Sequence, residues 1–288
     1  MDAMQRFMGK SRLLLLNAAF TVLAVCGVKL CVHWLGWEVI SLNPLFSGIV
    51  AANVFLMGFL LSGVLADYKE SERLPGELAA SLETIADEAS SVYETKQAPV
   101  ALQLLNHMQR LSQSIKDWFY KREQTRHLMA SLREMNHYFS GLEGLTQANF
   151  IARLKQEQSN IRRMLIRIHT VRETSFIPSG YLIARFTTLL LIVGLVLVNI
   201  DPFYESVFFV GIITFLLRFL SLLIKDLDNP FGYYEGDSVE DVSLKPLDDL
   251  AGRIKDIIEH IGANGEAAVN SSISIVRHDN PKRDVLPR

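Results

Sequence analysis

Phe55 and Phe59 lie one helical turn apart on an apolar segment, with Ala51 one turn before them. The i, i+4, i+8 spacing places all three on one face of a helix. If several copies surrounded an axis, that stripe would form stacked apolar rings, a constriction that gates by expelling water. The plainer reading is a lipid-facing or core stripe, and the residues alone leave both open. The same segment holds Ser47, Gly48, Ala52, Gly58, Ser62 and Gly63, small residues that let membrane helices approach closely.

Charges embedded in apolar runs are the next candidates, because such groups face a bundle interior, a cavity or the interface. Arg185 falls about a third of the way into its run, where it serves either an ion path or the structure. Arg218, near the end of another run, is expected to snorkel or to pair with Asp226. Lys29 and His33 are expected to snorkel as well. Asp226, Asp228, Glu235, Asp237, Glu240 and Asp241 offer oxygen ligands for calcium. Their run is interrupted and lacks EF-hand spacing, which favours a solvated acidic turn over a site.

Catalytic chemistry finds no support. The chain has no phosphate-binding loop, no G-x-S-x-G, no H-E-x-x-H and no Cys/His cluster at metal-ligand spacing. His107, His127, His137 and His169 are scattered over polar helices. No catalytic residue, metal centre or cofactor is expected. The two cysteines, Cys26 and Cys31, lie five apart in one apolar run and read as free thiols.

The elements that carry these residues follow from hydropathy. Four apolar runs, Leu13–Leu35, Pro44–Ala66, Phe176–Ile200 and Ser206–Ile224, each come close to the roughly 20 residues a helix needs to cross a bilayer. They come in two pairs, with short connectors at 36–43 and 201–205 that contain no Lys or Arg. The N-terminus carries Arg6, Lys10 and Arg12, and the long middle segment is rich in charge. The positive-inside rule then puts both termini and the middle segment in the cytoplasm. The fold class is therefore all-α, an integral membrane protein with four transmembrane helices and a helical cytosolic domain. The first run is too long for a signal-peptide core and is read as a span. The membrane is a bacterial inner membrane or a plasma membrane.

In the polar middle, a kink or short turn is expected at Leu74-Pro75-Gly76. One helix is expected from Pro99 to about Phe139, and another over 146–174 with Phe150, Leu154, Ile161, Leu165 and Ile168 on one face. Arg153, Lys155, Arg162, Arg163, Arg167 and Arg172 line the second. They read as a solvated basic face near the anionic leaflet, with an electropositive anion lining as the alternative. A net charge of -2 and the lack of aromatic interleaving argue against nucleic acid. A last amphipathic helix covers 246–261 and is expected to stop at Gly262-Ala263-Asn264-Gly265. The domain boundaries read as 1–66 (first two spans), 67–175 (cytosolic helices), 176–224 (last two spans), 225–262 (acidic turn and C-terminal helix) and 263–288 (flexible tail).

Several segments resemble the bestrophin family of anion channels. Phe55-Leu56-Met57-Gly58-Phe59 is similar to the family's F-x-L-G-F neck motif and is followed by Leu74-Pro75. Ile177-Pro178 and Tyr181 lead into span three, Asp201-Pro202-Phe203 into span four, and Asp228-Asn229-Pro230-Phe231-Gly232 resembles the family's N-P-F-G segment. The order and spacing agree over roughly residues 12 to 262. The chain departs from the family in having Asp67-Tyr68-Lys69 after span two, Arg185 in place of a His-Arg pair, and a broken acidic run.

The resemblance implies a homopentamer whose second spans line one central pore with a neck at Ala51, Phe55 and Phe59. It implies passive conduction of small anions such as chloride, with the chain itself, the bilayer and inorganic ions as partners. The rival readings are a membrane-anchored scaffold without transport activity and a cation-permeable channel of the same fold. A secondary transporter is disfavoured, since no inverted repeats with broken helices are visible.

Overall fold

The computed structural model describes residues 2–174, 178–234 and 241–278, with side chains over 14–174, 178–234 and 241–263. In chain order the elements are α1 (Asp2–Trp34), β1 (Ile40–Ser41), α2 (Pro44–Lys96), α3 (Pro99–Phe119), α4 (Thr125–Leu142), α5 (Ala148–Glu173), α6 (Pro178–Leu197), β2 (Val198–Asn199), α7 (Phe203–Leu227) and α8 (Lys245–His278). Helix starts follow local chemistry. Asn43 caps α2 by accepting the Phe46 amide at 2.9 Å, and Pro44, Pro99 and Pro178 occupy first helical positions where no N–H is needed. Among the described residues, four helices are long and apolar enough to cross a membrane.

The chain divides into two compact units, Met1–Leu74 with Arg167–Val242, and Pro75–Ile166 with Ser243–Arg288. In the first, α1 packs on α7 and α6, and α6 packs on α7. Its core is small: Met57, Leu60 and Val64 of α2 meet Ala184 of α6 and Ile224 and Leu227 of α7. Large apolar side chains such as Phe20, Leu23, Leu182 and Phe208 stay exposed, as lipid-facing positions do. Polar ties cross the apolar layer, with Asn53 donating to Thr188 at 3.2 Å and accepting from Thr187 at 2.6 Å. Gly194 makes room for the Phe46 ring, since a Cβ there would stand 2.9 Å from it and the ring would have to shift.

The second unit is a helical domain in which α3 packs on α4 and on α8. Leu105, Met108, Leu111, Ile115, Leu132 and Phe139 are fully buried in it. Ion pairs between helices add to this packing: Arg153 to Glu88 at 2.8 Å, Arg253 to Glu83, and Lys116 to Asp248 at 2.5 Å. His107 is buried with Nε2 3.0 Å from the Ser131 carbonyl, and its Nδ1 has no partner. Since a carbonyl only accepts, Nε2 carries the proton.

Three expectations are corrected. The helix expected from Pro99 to about Phe139 is broken at 120–124. Lys121 adopts a left-handed φ of 56°, and the Trp118 indole donates to Thr125 at 2.9 Å across the turn. Burying both Trp118 and Phe119 at the end of α3 selects this reversal without any Gly or Pro. Of the kink or short turn expected at Leu74-Pro75-Gly76, the turn does not form, since α2 runs through Pro75 as a helix. The missing proline donor costs about 3 kcal/mol, which burial of Leu74, Leu78 and Leu82 on adjacent turns offsets. Helix α8 likewise continues through Gly262-Ala263-Asn264-Gly265 to His278. Glycine lowers helix propensity by only about 1 kcal/mol per residue, too little to end a helix alone. The pure all-α reading gains one detail: β1 and β2 form a two-residue parallel pair, Ile40 with Val198 and Ser41 with Asn199.

Burial pushes the His107 pKa down more than the Ser131 hydrogen bond and Glu134 raise it. Protonation would put a new N–H on the unpartnered, buried Nδ1. The unfolded chain takes up that proton near pH 6.5 whereas the folded chain resists it, so stability falls as pH drops below about 6.5. Thermal melts of the purified protein at pH 7.5 and 5.5 should show a smaller acid loss in His107→Gln than in the parent. Identical losses would remove His107 as the cause.

Candidate functional site

Helix α2 has two unlike faces in its first half. Met57, Leu60 and Val64 are buried, whereas Phe55 is 78% and Phe59 61% exposed. At 100° per residue, Met57 lies about 200° from both phenylalanines, so the stripe points away from the core. Ser47, Gly48, Ala51, Ala52, Gly58 and Ser62 are exposed along the same side. A Cβ at Gly48 or Gly58 would meet nothing within 4 Å. These small residues therefore do not serve tight packing within the chain, one of the two uses open to them. Ala51, Phe55 and Phe59 form one continuous bare line.

At the connector between α1 and α2, Lys29 is completely buried. Its ammonium contacts Glu38 Oε1 at 2.5 Å and donates to the carbonyls of Val196 at 3.2 Å and Val198 at 2.5 Å. His33 reaches the other Glu38 oxygen at 2.9 Å and stacks on Phe203 with ring centroids 3.8 Å apart. Burial pushes the Glu38 carboxyl up, but the hydrogen bonds and charges of Lys29 and His33 outweigh it and hold the pKa below the usual glutamate range. The expected snorkelling of Lys29 is thus corrected. The chain itself supplies an anion and two carbonyls within hydrogen-bond distance.

Where α6 begins and α7 ends, a cavity of about 330 Å³ opens in the first unit. Met57, Leu60, Ala184 and Ile224 form an apolar floor, and Arg172, Arg185, Lys225, Asp228, Asn229 and Tyr234 contribute its polar lining. The Tyr181 hydroxyl donates to Asp228 at 2.6 Å, joining the segment after α7 to α6. Arg185 is exposed and opens on this cavity with Met57, on the side of α2 opposite the Phe stripe.

The remaining expectations fall as follows. Arg218 does not pair with Asp226, since eight residues along one helix separate them by about 12 Å; its Nε has no hydrogen-bond partner. The basic run of α5 is partly structural: Arg167 binds Glu70 in a fork at 2.8 and 3.0 Å, and its guanidinium holds that carboxyl below the usual range. Asp226, Asp228 and Asp241 are half-buried, while Glu235, Asp237 and Glu240 lie outside the described residues. Among the described residues no three His, Cys, Asp or Glu side chains are grouped to hold a metal. Sequence reasoning missed the Lys29–Glu38 pair, the Asn53–Thr187–Thr188 tie and the Tyr181–Asp228 bond. Each links residues on separate elements, and only the third had a local signal, since both its members sit in motifs.

Solved structures share this architecture. A crystal structure of a bacterial bestrophin homologue from Klebsiella pneumoniae carrying a point mutation matches with a TM-score of 0.66 and 16% identity, covering 87% of this chain and 98% of that one. A zinc-phased structure of a bestrophin homologue from the same organism matches at 0.65 and 16%, covering 86% and 97%. A membrane protein variant matches at 0.70 and 14%, covering 84% and 97%. No family model and no curated protein matches the chain. The chain has the bestrophin fold, as the motif resemblance implied.

Replacing Lys29 by Met would leave Glu38 Oε1 and two carbonyls without their donor. Breaking a buried pair from one side costs about 3–5 kcal/mol. Thermal melts in detergent should therefore show Lys29→Met strongly destabilised, and Lys29→Met/Glu38→Gln losing less than the two single changes added. Strict additivity would show that the two side chains are not coupled.

Proposed function

We propose that the chain is a divergent bestrophin-like protein, the subunit of a homopentameric channel that passes small anions such as chloride down their gradient. The observation that carries the reading is the bare face of α2: small residues with Phe55 and Phe59, unpartnered within the chain and opposite its core. A face meant for lipid is filled with large aliphatic side chains, whereas small-residue faces suit neighbouring helices or a pore. Five copies would set Phe55 and Phe59 in rings about 5.4 Å apart, with Ala51 beyond them. The barrier there is lost ion hydration rather than repelling charge. A direct ion-path role for Arg185 has less support, because it opens on the cavity on the other side of α2.

Planar-bilayer recordings test the neck. Phe55→Ala/Phe59→Ala should widen and wet it and raise the current several-fold, with the helix kept because alanine has the highest helix propensity. Unchanged current in a correctly assembled double variant would move these residues off the ion path. Absence of any current in the parent would favour the scaffold reading, and a reversal potential set by cations would favour a cation channel of the same fold.

The proposed orientation places both termini in the cytoplasm and the connectors at 36–43 and 201–205 outside. Glu38 is committed to Lys29, so the exposed Val39 is the better reporter. In a background with Cys26 and Cys31 replaced by Ala, Val39→Cys should react with an impermeant maleimide added to intact cells, and Asp87→Cys should not. The opposite pattern would invert the topology.

A further inference from the structure

We propose that the cavity where α6 begins and α7 ends binds the anionic headgroup and upper acyl chain of a membrane phospholipid. The inference rests on this cavity and not on the channel reading. Its lining carries three cations, Arg172, Arg185 and Lys225, against two carboxylates, Glu173 and Asp228. Both carboxylates are engaged: Asp228 accepts the Tyr181 hydroxyl at 2.6 Å, and Glu173 accepts from Arg172 at 3.3 Å. Arg185 on α6 and Lys225 on α7 make no ion pair or hydrogen bond among the described residues. Two cations from separate helices thus converge on one space without a counter-charge committed to them.

Depth and shape choose the ligand class. Arg185 is the eighth residue of α6, about 10 Å from its start, and Lys225 lies in the last turn of α7. Lys225 therefore sits near the headgroup–acyl boundary and Arg185 about two turns deeper, where an exposed guanidinium left facing acyl chains is costly and a lipid phosphate drawn toward it relieves that cost. The cavity of about 330 Å³ has room for on the order of ten waters. A lone halide or phosphate would leave most of it unfilled, over a floor of Met57, Leu60, Ala184 and Ile224 that offers an inorganic ion nothing. An anionic phospholipid satisfies both parts, with its phosphate on the cations and its first methylenes on the floor.

The test uses delipidated full-length protein in neutral detergent, with native mass spectrometry counting retained lipid. Phosphatidylglycerol should be retained over phosphatidylcholine by about thirtyfold if two interfacial cations act in full. R185Q/K225Q should abolish most of that preference, R185K/K225R should keep it, and circular dichroism with gel filtration should confirm that both fold. The parent comparison decides by itself if the neutral variant does not fold. Equal retention of the two lipids by the parent would overturn the proposal. So would displacement of phosphatidylglycerol by millimolar inorganic phosphate, which would mark a free-anion site. Because the readout is lipid retention, its failure and the absence of conductance are separate results.

Discussion

A fully buried lysine constrains this molecule more than any other single group. An ammonium removed from water costs several kcal/mol unless every proton finds an acceptor. Lys29 finds one carboxylate oxygen on the α1–α2 connector and two carbonyls, Val196 at the end of α6 and Val198 in β2. Those acceptors belong to segments far apart in sequence, so satisfying one charge fixes three pieces of chain together. The two-residue pairing of Ile40 with Val198 and Ser41 with Asn199 lies directly beside it. Glu38 is held from its other side by His33, whose ring rests on Phe203 at the start of α7. One electrostatic requirement thus joins α1, the connector, α6 and α7 in an environment where water cannot substitute.

With that end pinned, the apolar layer can leave one face of α2 uncommitted. The core of the first unit uses only one side of that helix, through Met57, Leu60 and Val64. The polar tie from Asn53 to Thr187 and Thr188 holds the same helix to α6. What remains is a side of small residues with two phenylalanines, flanked by the exposed Leu45, Ile49 and Leu65, that takes no part in the core of the first unit. A face kept free of structural duty is available for assembly and conduction, and the proposed function depends on that availability.

Charge is divided in a similar way. Two of the six cations in the basic run on α5 are paired with carboxylates of α2, Arg153 with Glu88 and Arg167 with Glu70. These pairs hold helices together. Arg185 and Lys225, which make no such pair, border the cavity of the first unit. Proposed neck and proposed lipid site therefore lie on opposite sides of one helix and draw on different chemistry, dewetting at one and charge pairing at the other.

The sequence by itself determined the four spans, because crossing a bilayer requires a length of apolar chain that no folding partner can replace. It also determined that the rest is helical, through apolar residues repeating at helical spacing, and its ordered motifs around Phe55–Phe59 and Asp228–Phe231 pointed to the fold. Breaks within helices were decided by tertiary structure. Pro75 is a local signal worth about 3 kcal/mol that packing overrides, and Gly262 is too weak a signal to end a helix, whereas burying Trp118 and Phe119 forces a reversal at Lys121 that no turn residue announces. Tertiary structure alone also decided the partner of each charge. Lys29 looked able to snorkel because its residue type and position allow it, but a side chain takes the nearest acceptors in space. Those acceptors, the Val196 and Val198 carbonyls, lie more than 160 residues further along the chain and are backbone atoms that every residue type carries.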